Sequence, residues 1–495
     1  RKISMNNPLK YRGFTLFQSS YVPDPVETTV LSVRKDPGTP LVYGGFLVVL
    51  AGILGLFLSR RRAALGLILL AGMMSSTSPV LAKPDMEGID VPAAALQPLR
   101  HLAIQHNGRV KPFDSFAWEV LDRLTGDPRW GSAPPVETVL AIVADPTRWQ
   151  EAEILSVPFL PLREALGLDR RQTHVSYSRL IEDRKLMRML PVIVGKQQEN
   201  EKLTMLENEA MDLYDRFVLI TELFQQKLSL VPPPGQEKVW VPIVNSPLQA
   251  PWDSFLVSLQ TKDPAAKESA CRELAQRLEG VRPSAYPPAW RLRLEVFYND
   301  LAPFRVARIF YGLAAFFWLA FAMKRLRRLA RMGTLFLGAA VLFHGAGIAT
   351  RIVLGGRPPV SNFYETMLWL PFVGVILAIV FERIYRAGFV AFAGCFLASV
   401  ALLLADHLPL DPSISPVVAV LRSNLWLTIH VLTVVGSYAP IALAAVLAHL
   451  YAGRTLFQGE RHPALPVWAL LLYHSIQVGV VLLAAGIMLG AVWAN

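Results

Sequence analysis

LRSNLWLTIHVLTVVGSYAPIALAAVLAHL (Leu421–Leu450) is an apolar stretch with a histidine near one end. After a short polar start it stays apolar for longer than the roughly 20 residues a helix needs to cross a bilayer. Near its polar end stands His430. Ionisable side chains inside membrane spans are costly and rare, so each one raises a functional question.

Working outward, comparable apolar runs recur along the 495 residues, which are 53% hydrophobic and only 18% charged. Such runs define an integral membrane protein. Spans are expected near Leu41–Leu58, Ala63–Ala82, Arg305–Met323, Thr334–Leu354, Met367–Phe381, Phe389–Ala405, Trp426–Ala448 and Trp468–Ala494. The fold class is therefore mainly α: a polytopic membrane protein of about eight transmembrane helices, with a largely helical extracytoplasmic domain inserted after the second.

Four segments follow. Residues 1–40 are polar and carry two strand-like stretches, Tyr11–Tyr21 and Glu27–Gly38. Residues 41–82 form a two-helix hairpin around Arg60, Arg61 and Arg62, and residues 83–302 form a soluble domain. Residues 303–495 form a six-helix membrane domain. Within 83–302, Leu203, Leu206, Ala210, Leu213, Phe217, Ile220 and Phe224 step by threes and fours, which predicts an amphipathic helix with a packed seam. Pro264–Val281 is a second expected helix, and VPPPG (Val231–Gly235) breaks the pattern between them.

The net charge of +11 does not point to nucleic acid, because the basic residues cluster at the ends of the apolar runs and report topology. With 83–302 outside, the inner loops hold Arg60, Arg61, Arg62, Lys324, Arg325, Arg327, Arg328, Arg331, Arg383, Arg386, Arg454 and Arg461. The short outer loops hold only Arg351, Arg357 and Arg422. This orientation puts GGRPPVSNFYET (Gly355–Thr366) and His430 on the outer face. Cys271 and Cys395 lie far apart and form neither a zinc spacing nor a disulfide framework.

A histidine about one turn below the outer surface suits a ligand held at the lipid–water boundary. Haem fits: its ring is apolar, its propionates are anionic and its iron takes imidazole. Arg351, Arg357 or Arg422 would neutralise propionates through charge-assisted hydrogen bonds, although for these arginines by themselves anchoring at the interface is the stronger reading. His344 and His474 fall mid-span and His449 near an inner end, and His344 is a further candidate ligand. Packing against neighbouring helices is the competing role for His430. His101, His106 and His174 are expected at the surface of the soluble domain, and His462 in an inner loop. No Walker A, GxGxxG, HExxH or GxSxG pattern is present, and the spans lack the acidic relay of an ion-coupled transporter.

SNLWLTIHVLTVVGSYA (Ser423–Ala439) closely resembles the segment of the system II cytochrome c synthetases that carries their first external haem histidine. GRPPVSNFYETMLWL (Gly356–Leu370) is similar to the same family's outer stretch ahead of its haem-handling core of CcsA/ResC type. PLKYRGFTLFQSSYVPDP (Pro8–Pro25) resembles the end of the ResB-type subunit, and HNGRVKPFDSFAWEVL (His106–Leu121) resembles a stretch found between the two in fused members.

The resemblance implies a holocytochrome c synthetase (haem lyase) in a bacterial inner membrane, with residues 83–302 on the periplasmic side. Such a protein exports haem b, presents it outside and joins it by thioether bonds to the CxxCH motif of apocytochrome c. His430 is the one family haem histidine that maps onto this sequence. The family's tryptophan-rich haem loop, its other histidines and the early ResB spans have no match. The chain is therefore expected to be a piece of a longer polypeptide, or one subunit of a complex, and not to catalyse attachment alone. Its implied partners are haem, apocytochrome c, the lipid bilayer and those unmatched portions, with no nucleic acid. A non-catalytic haem or quinone carrier and a scaffold that recruits apocytochrome c are the alternatives.

Overall fold

The computed structural model describes residues 9–11, 14–22, 28–34, 93–131, 133–199, 201–233, 239–261, 263–281, 286–408, 410–414, 425–458 and 465–494. The two spans expected within 41–82, together with Arg422, Arg461 and His462, lie outside the described residues.

The strand-like stretches near the start form an antiparallel three-stranded sheet of Leu9–Tyr11, Phe14–Val22 and Thr28–Arg34. Thr15 pairs with Arg34 and Leu16 with Val33, and the register shifts at a bulge between Gln18 and Ser20. The chain divides into two compact units, Met73–Asp300 and a second made of Arg1–Gly72 and Leu301–Asn495.

Helices build the first unit, as its periodicity predicts. Met205–Phe224 is a helix whose seam residues Ala210, Leu213 and Ile220 are fully buried. It begins at a capping box: Thr204 accepts from the Glu207 backbone N–H, and the Glu207 side chain reaches back to the Thr204 N–H. Pro264–Val281 is also helical. HNGRVKP folds as a hairpin, strands Ala103–His106 and Arg109–Pro112, turning through Asn107 and Gly108 at φ 50° and 73°. Two successive positive φ values are the signature of a tight hairpin turn and explain the Asn-Gly pair.

This hairpin is rich in satisfied charge. Arg109 grips Glu295 with two bonds of 2.7 Å, and buried Lys111 pairs with Glu119. Burial pushes the Lys111 ammonium below its usual range; it also pushes Glu119 up, but contacts with His106 and Lys111 outweigh it and hold that carboxyl low. His106 meets Phe116 edge-on, and His174 bonds the Thr125 carbonyl at 3.0 Å. Histidines 101, 106 and 174 are thus half-buried and engaged with neighbours instead of standing free at the surface.

Six helices in the described residues are long and apolar enough to cross a membrane. They are α1 (Pro303–Lys324), α2 (Arg327–Gly355), α3 (Phe363–Tyr385), α4 (Phe389–His407), α5 (Leu425–Gln458) and α6 (Leu465–Ala494). Each expected span from Arg305 onward coincides with one of them. α1 packs on α2 and α4, α3 on α4 and α5, and α5 on α6.

The α5–α6 pair is close because small residues remove the side chains that would hold the backbones apart. A Cβ at Gly479 would lie 2.7 Å from Ile441, and one at Gly486 would lie 2.6 Å from Val434. Ser475 adds a 2.8 Å hydrogen bond to the Pro440 carbonyl. Towards the other end of the pair, Phe389, Val390, Leu443, Leu447, Trp468 and Leu471 form an apolar cluster with α3.

Candidate functional site

The ends of α2, α4 and α6 and the starts of α3 and α5 meet at one end of the bundle. Asn362 caps α3 by accepting from the Glu365 N–H at 2.8 Å, and its amide donates to the Asp411 carbonyl. The loop between α2 and α3 is therefore tied to the segment that follows α4, which their sequences alone do not reveal.

Glu365 is the hub of this end. Its carboxylate accepts from Arg351 at 3.0 Å, from Arg357 at 2.6 Å, and from the backbone N–H and hydroxyl of Ser361. Glu365 is 1% exposed and Arg351 3% exposed. Arg351 also donates to the carbonyls of Pro412 and Ser413 and stacks over Tyr364. A carboxylate this deep is tolerated only because charged and polar donors surround it. Two of the three arginines read as propionate candidates thus form one buried Arg–Glu–Arg triad that clamps loops, and a propionate there would compete with Glu365. At the same end Arg308 of α1 pairs with Asp406 of α4 at 2.6 Å.

His344 has a different setting from the one expected of a ligand. It is fully buried; Nε2 lies 3.0 Å from the Leu368 carbonyl and Nδ1 lies 3.2 Å from the Tyr311 hydroxyl. A carbonyl only accepts, so Nε2 carries the proton and Nδ1 accepts from Tyr311. Phe304, Tyr311 and Phe372 pack around the ring. Both nitrogens are engaged, and ligation of iron would first have to break one of these bonds. His474 pairs with the Tyr385 hydroxyl at 2.7 Å, while His449 is exposed and bonds its own helix at Ala445.

His430 stands apart from these. It is half-buried, five residues beyond the start of α5, about 7.5 Å along the helix axis. Nδ1 lies 2.6 Å from the Gly486 carbonyl of α6. By the same reasoning Nδ1 carries the proton, and Nε2 keeps the lone pair that an iron would take. Among the described residues this is the ring's one hydrogen bond. Two residues further along α5, the Leu432 carbonyl accepts from the indole of Trp369 of α3 at 3.3 Å. The residues here fit haem in one respect: an imidazole whose Nδ1 is tied to the Gly486 carbonyl and whose Nε2 carries the lone pair.

Glu365, Trp369, Tyr311 and Gly486 were not singled out by sequence reasoning. Gly486–Gly490 does form a GxxxG pattern, a legible signal of close helix approach. The described residues hold no group of three or more His, Cys, Asp or Glu side chains that would bind a metal ion by themselves.

Fold and site together define a multi-pass α-helical membrane protein that carries an available imidazole at one end of its bundle. Residues 360–495 match the family described as cytochrome C assembly protein. Protein NrfI of Wolinella succinogenes is 24% identical over 544 aligned positions, which cover all of this chain and 59% of that protein. The cytochrome c biogenesis proteins CcsA of Guillardia theta and of a Synechococcus strain are 29% and 28% identical over 36% and 39% of this chain, and over 67% and 74% of their own lengths. The chain is similar to these cytochrome c biogenesis proteins, and it spans just under three-fifths of NrfI.

Proposed function

We propose that this chain holds haem b for cytochrome c maturation, with His430 as an axial ligand through Nε2. The observation that carries the reading is the 2.6 Å bond from Nδ1–H to the Gly486 carbonyl, which leaves Nε2 available to iron. Residues 83–302 and the His430 end of the bundle face the periplasm of a bacterial inner membrane. The chain works within a longer polypeptide or complex that supplies the ResB-type spans, the tryptophan-rich loop and the second ligand.

Bound haem supplies the vinyl groups that become thioethers with the CxxCH thiols of apocytochrome c. This chain's contribution is positional. His430 fixes the depth and tilt of the ring. Such orientation, not acid–base chemistry, is what a reaction between preformed partners requires. Arg422, and Arg351 or Arg357 in competition with Glu365, remain the cations available to propionates.

The test is His430→Ala in the full-length protein. Purified from membranes, it should lose bound haem, and cells should lose most cytochrome c maturation. Undiminished haem and normal maturation would assign the ligand elsewhere and favour a scaffolding role.

A further inference from the structure

We infer that Gly486 and Gly490 of α6 are positioning residues for His430: one fixes which ring nitrogen is free, and the other supplies the space in which the ring is held. This rests on the reading of His430 as a haem ligand. It concerns a part of the site outside His430's own helix, 56 residues further along the chain.

The argument starts with the glycine ladder. Gly479, Gly486 and Gly490 lie seven and then four residues apart, so they face one side of α6. Each meets a different part of α5. Gly479 faces Ile441 and the Ser437 carbonyl, Gly486 faces the backbone and side chain of Val434, and Gly490 faces the His430 ring. A Cβ at Gly490 would lie 2.6 Å from Cε1, 2.8 Å from Nδ1 and 3.0 Å from Nε2 of that ring. Three ring atoms at nearly equal short distance mean that the imidazole lies against the bare Cα of Gly490. Any side chain there displaces the ring itself.

Displacement matters because the ring's second constraint is rigid. The Gly486 carbonyl belongs to the α6 backbone and cannot follow a ring that swings away. A ring moved by about 1 Å lengthens the 2.6 Å bond beyond the useful range for a hydrogen bond. With that bond lost, either nitrogen can carry the proton, and Nε2 is no longer reserved for iron. Outer partners that set a ligating histidine's tautomer and tilt are worth about 10–100-fold in affinity at metal sites. Gly490 therefore acts on haem through His430 without touching haem.

The experiment compares three variants of the full-length protein, purified in detergent and titrated with haemin. Gly490→Ala should weaken haem binding about 10–100-fold and shift the Soret and low-spin bands. Gly479→Ala is the packing control: it crowds the same helix pair against Ile441, well away from the ring, and should keep the wild-type spectrum and affinity. His430→Ala tests the underlying reading.

In haem-free protein, ¹⁵N-histidine NMR should show His430 protonated at Nδ1 in wild type and in Gly479→Ala, and a mixture of tautomers in Gly490→Ala. The inference is overturned if Gly490→Ala keeps wild-type affinity and spectrum while His430→Ala loses them. It is equally overturned if Gly479→Ala is as damaging as Gly490→Ala, since general packing then accounts for both. If His430→Ala itself retains haem, the ligand assignment fails first, and the NMR comparison alone decides whether α6 sets the tautomer.

Discussion

Replacing Glu365 by alanine is the sharpest test of how the His430 end of the bundle is held together. The side chain is 1% exposed and accepts four hydrogen bonds, from Arg351, Arg357 and two donors of Ser361. Removing one partner of a buried ion pair typically costs about 3–5 kcal/mol, because the opposite charge stays behind without compensation. Arg351 is 3% exposed and cannot turn to water without opening the loop at Pro412–Ser413 that it also holds.

For a unit of this size about 1 kcal/mol moves Tm by roughly 2–4 °C, so Glu365→Ala should lower it by roughly 6–20 °C. Thermal unfolding of the purified protein in detergent, followed by circular dichroism, reads that shift. Glu365→Gln keeps acceptor geometry but removes the charge and should fall between the two. Replacing Arg351, Arg357 and Glu365 together with apolar residues of similar size should recover much of the loss, since it leaves no stranded charge. A shift below about 3 °C for Glu365→Ala, at most about 1.5 kcal/mol by the same conversion, would show that the loops are held by something other than this triad.

Tyr311→Phe removes the donor to buried His344 Nδ1 and should cost about 1–3 kcal/mol, while the haem spectrum stays that of wild type. Thr204→Ala deletes an N-cap and should destabilise the helix Met205–Phe224 by about 1 kcal/mol. The Glu207 carboxyl is held at about 2, first by the Lys196 ammonium and then by the Thr204 backbone N–H and hydroxyl. Because its folded value lies below its ordinary one, its stabilisation is complete above pH 4.5 and is lost as pH falls towards 2; Glu207→Gln should flatten that part of an acid-unfolding profile. Cys271 and Cys395 are both buried, and burial lifts the Cys271 thiol to about 11, so native membranes should resist maleimide labelling. Against that low background, single cysteines at exposed His407 and Arg328 should label from opposite sides of the membrane, and labelling of both from one side would overturn the proposed topology.

What was legible in the sequence followed from periodicity and length. The spans between 303 and 494, the helix at Met205–Phe224 and the strands near the start needed only apolar pattern, capping residues and β-branched content. The depth of His430 below one end of α5 was also readable, because distance along a helix is distance along the chain. Its partner was not. The Gly486 carbonyl lies on another helix, and a backbone oxygen has no residue identity for a sequence to display. The Gly486–Gly490 pair signals that two helices approach closely, but not which residue they enclose. The partner of the arginines is hidden for a related reason: Arg351 and Arg357 look free in sequence until the N-terminal turn of α3 brings Glu365 back onto both. In His344 and His430 one side-chain type has two settings, and what separates them is the second nitrogen. A hydroxyl and a carbonyl close the first ring, whereas a single carbonyl leaves the second open. That difference favours His430 over His344 as the haem ligand, and it arises from packing between helices that no single stretch of sequence contains.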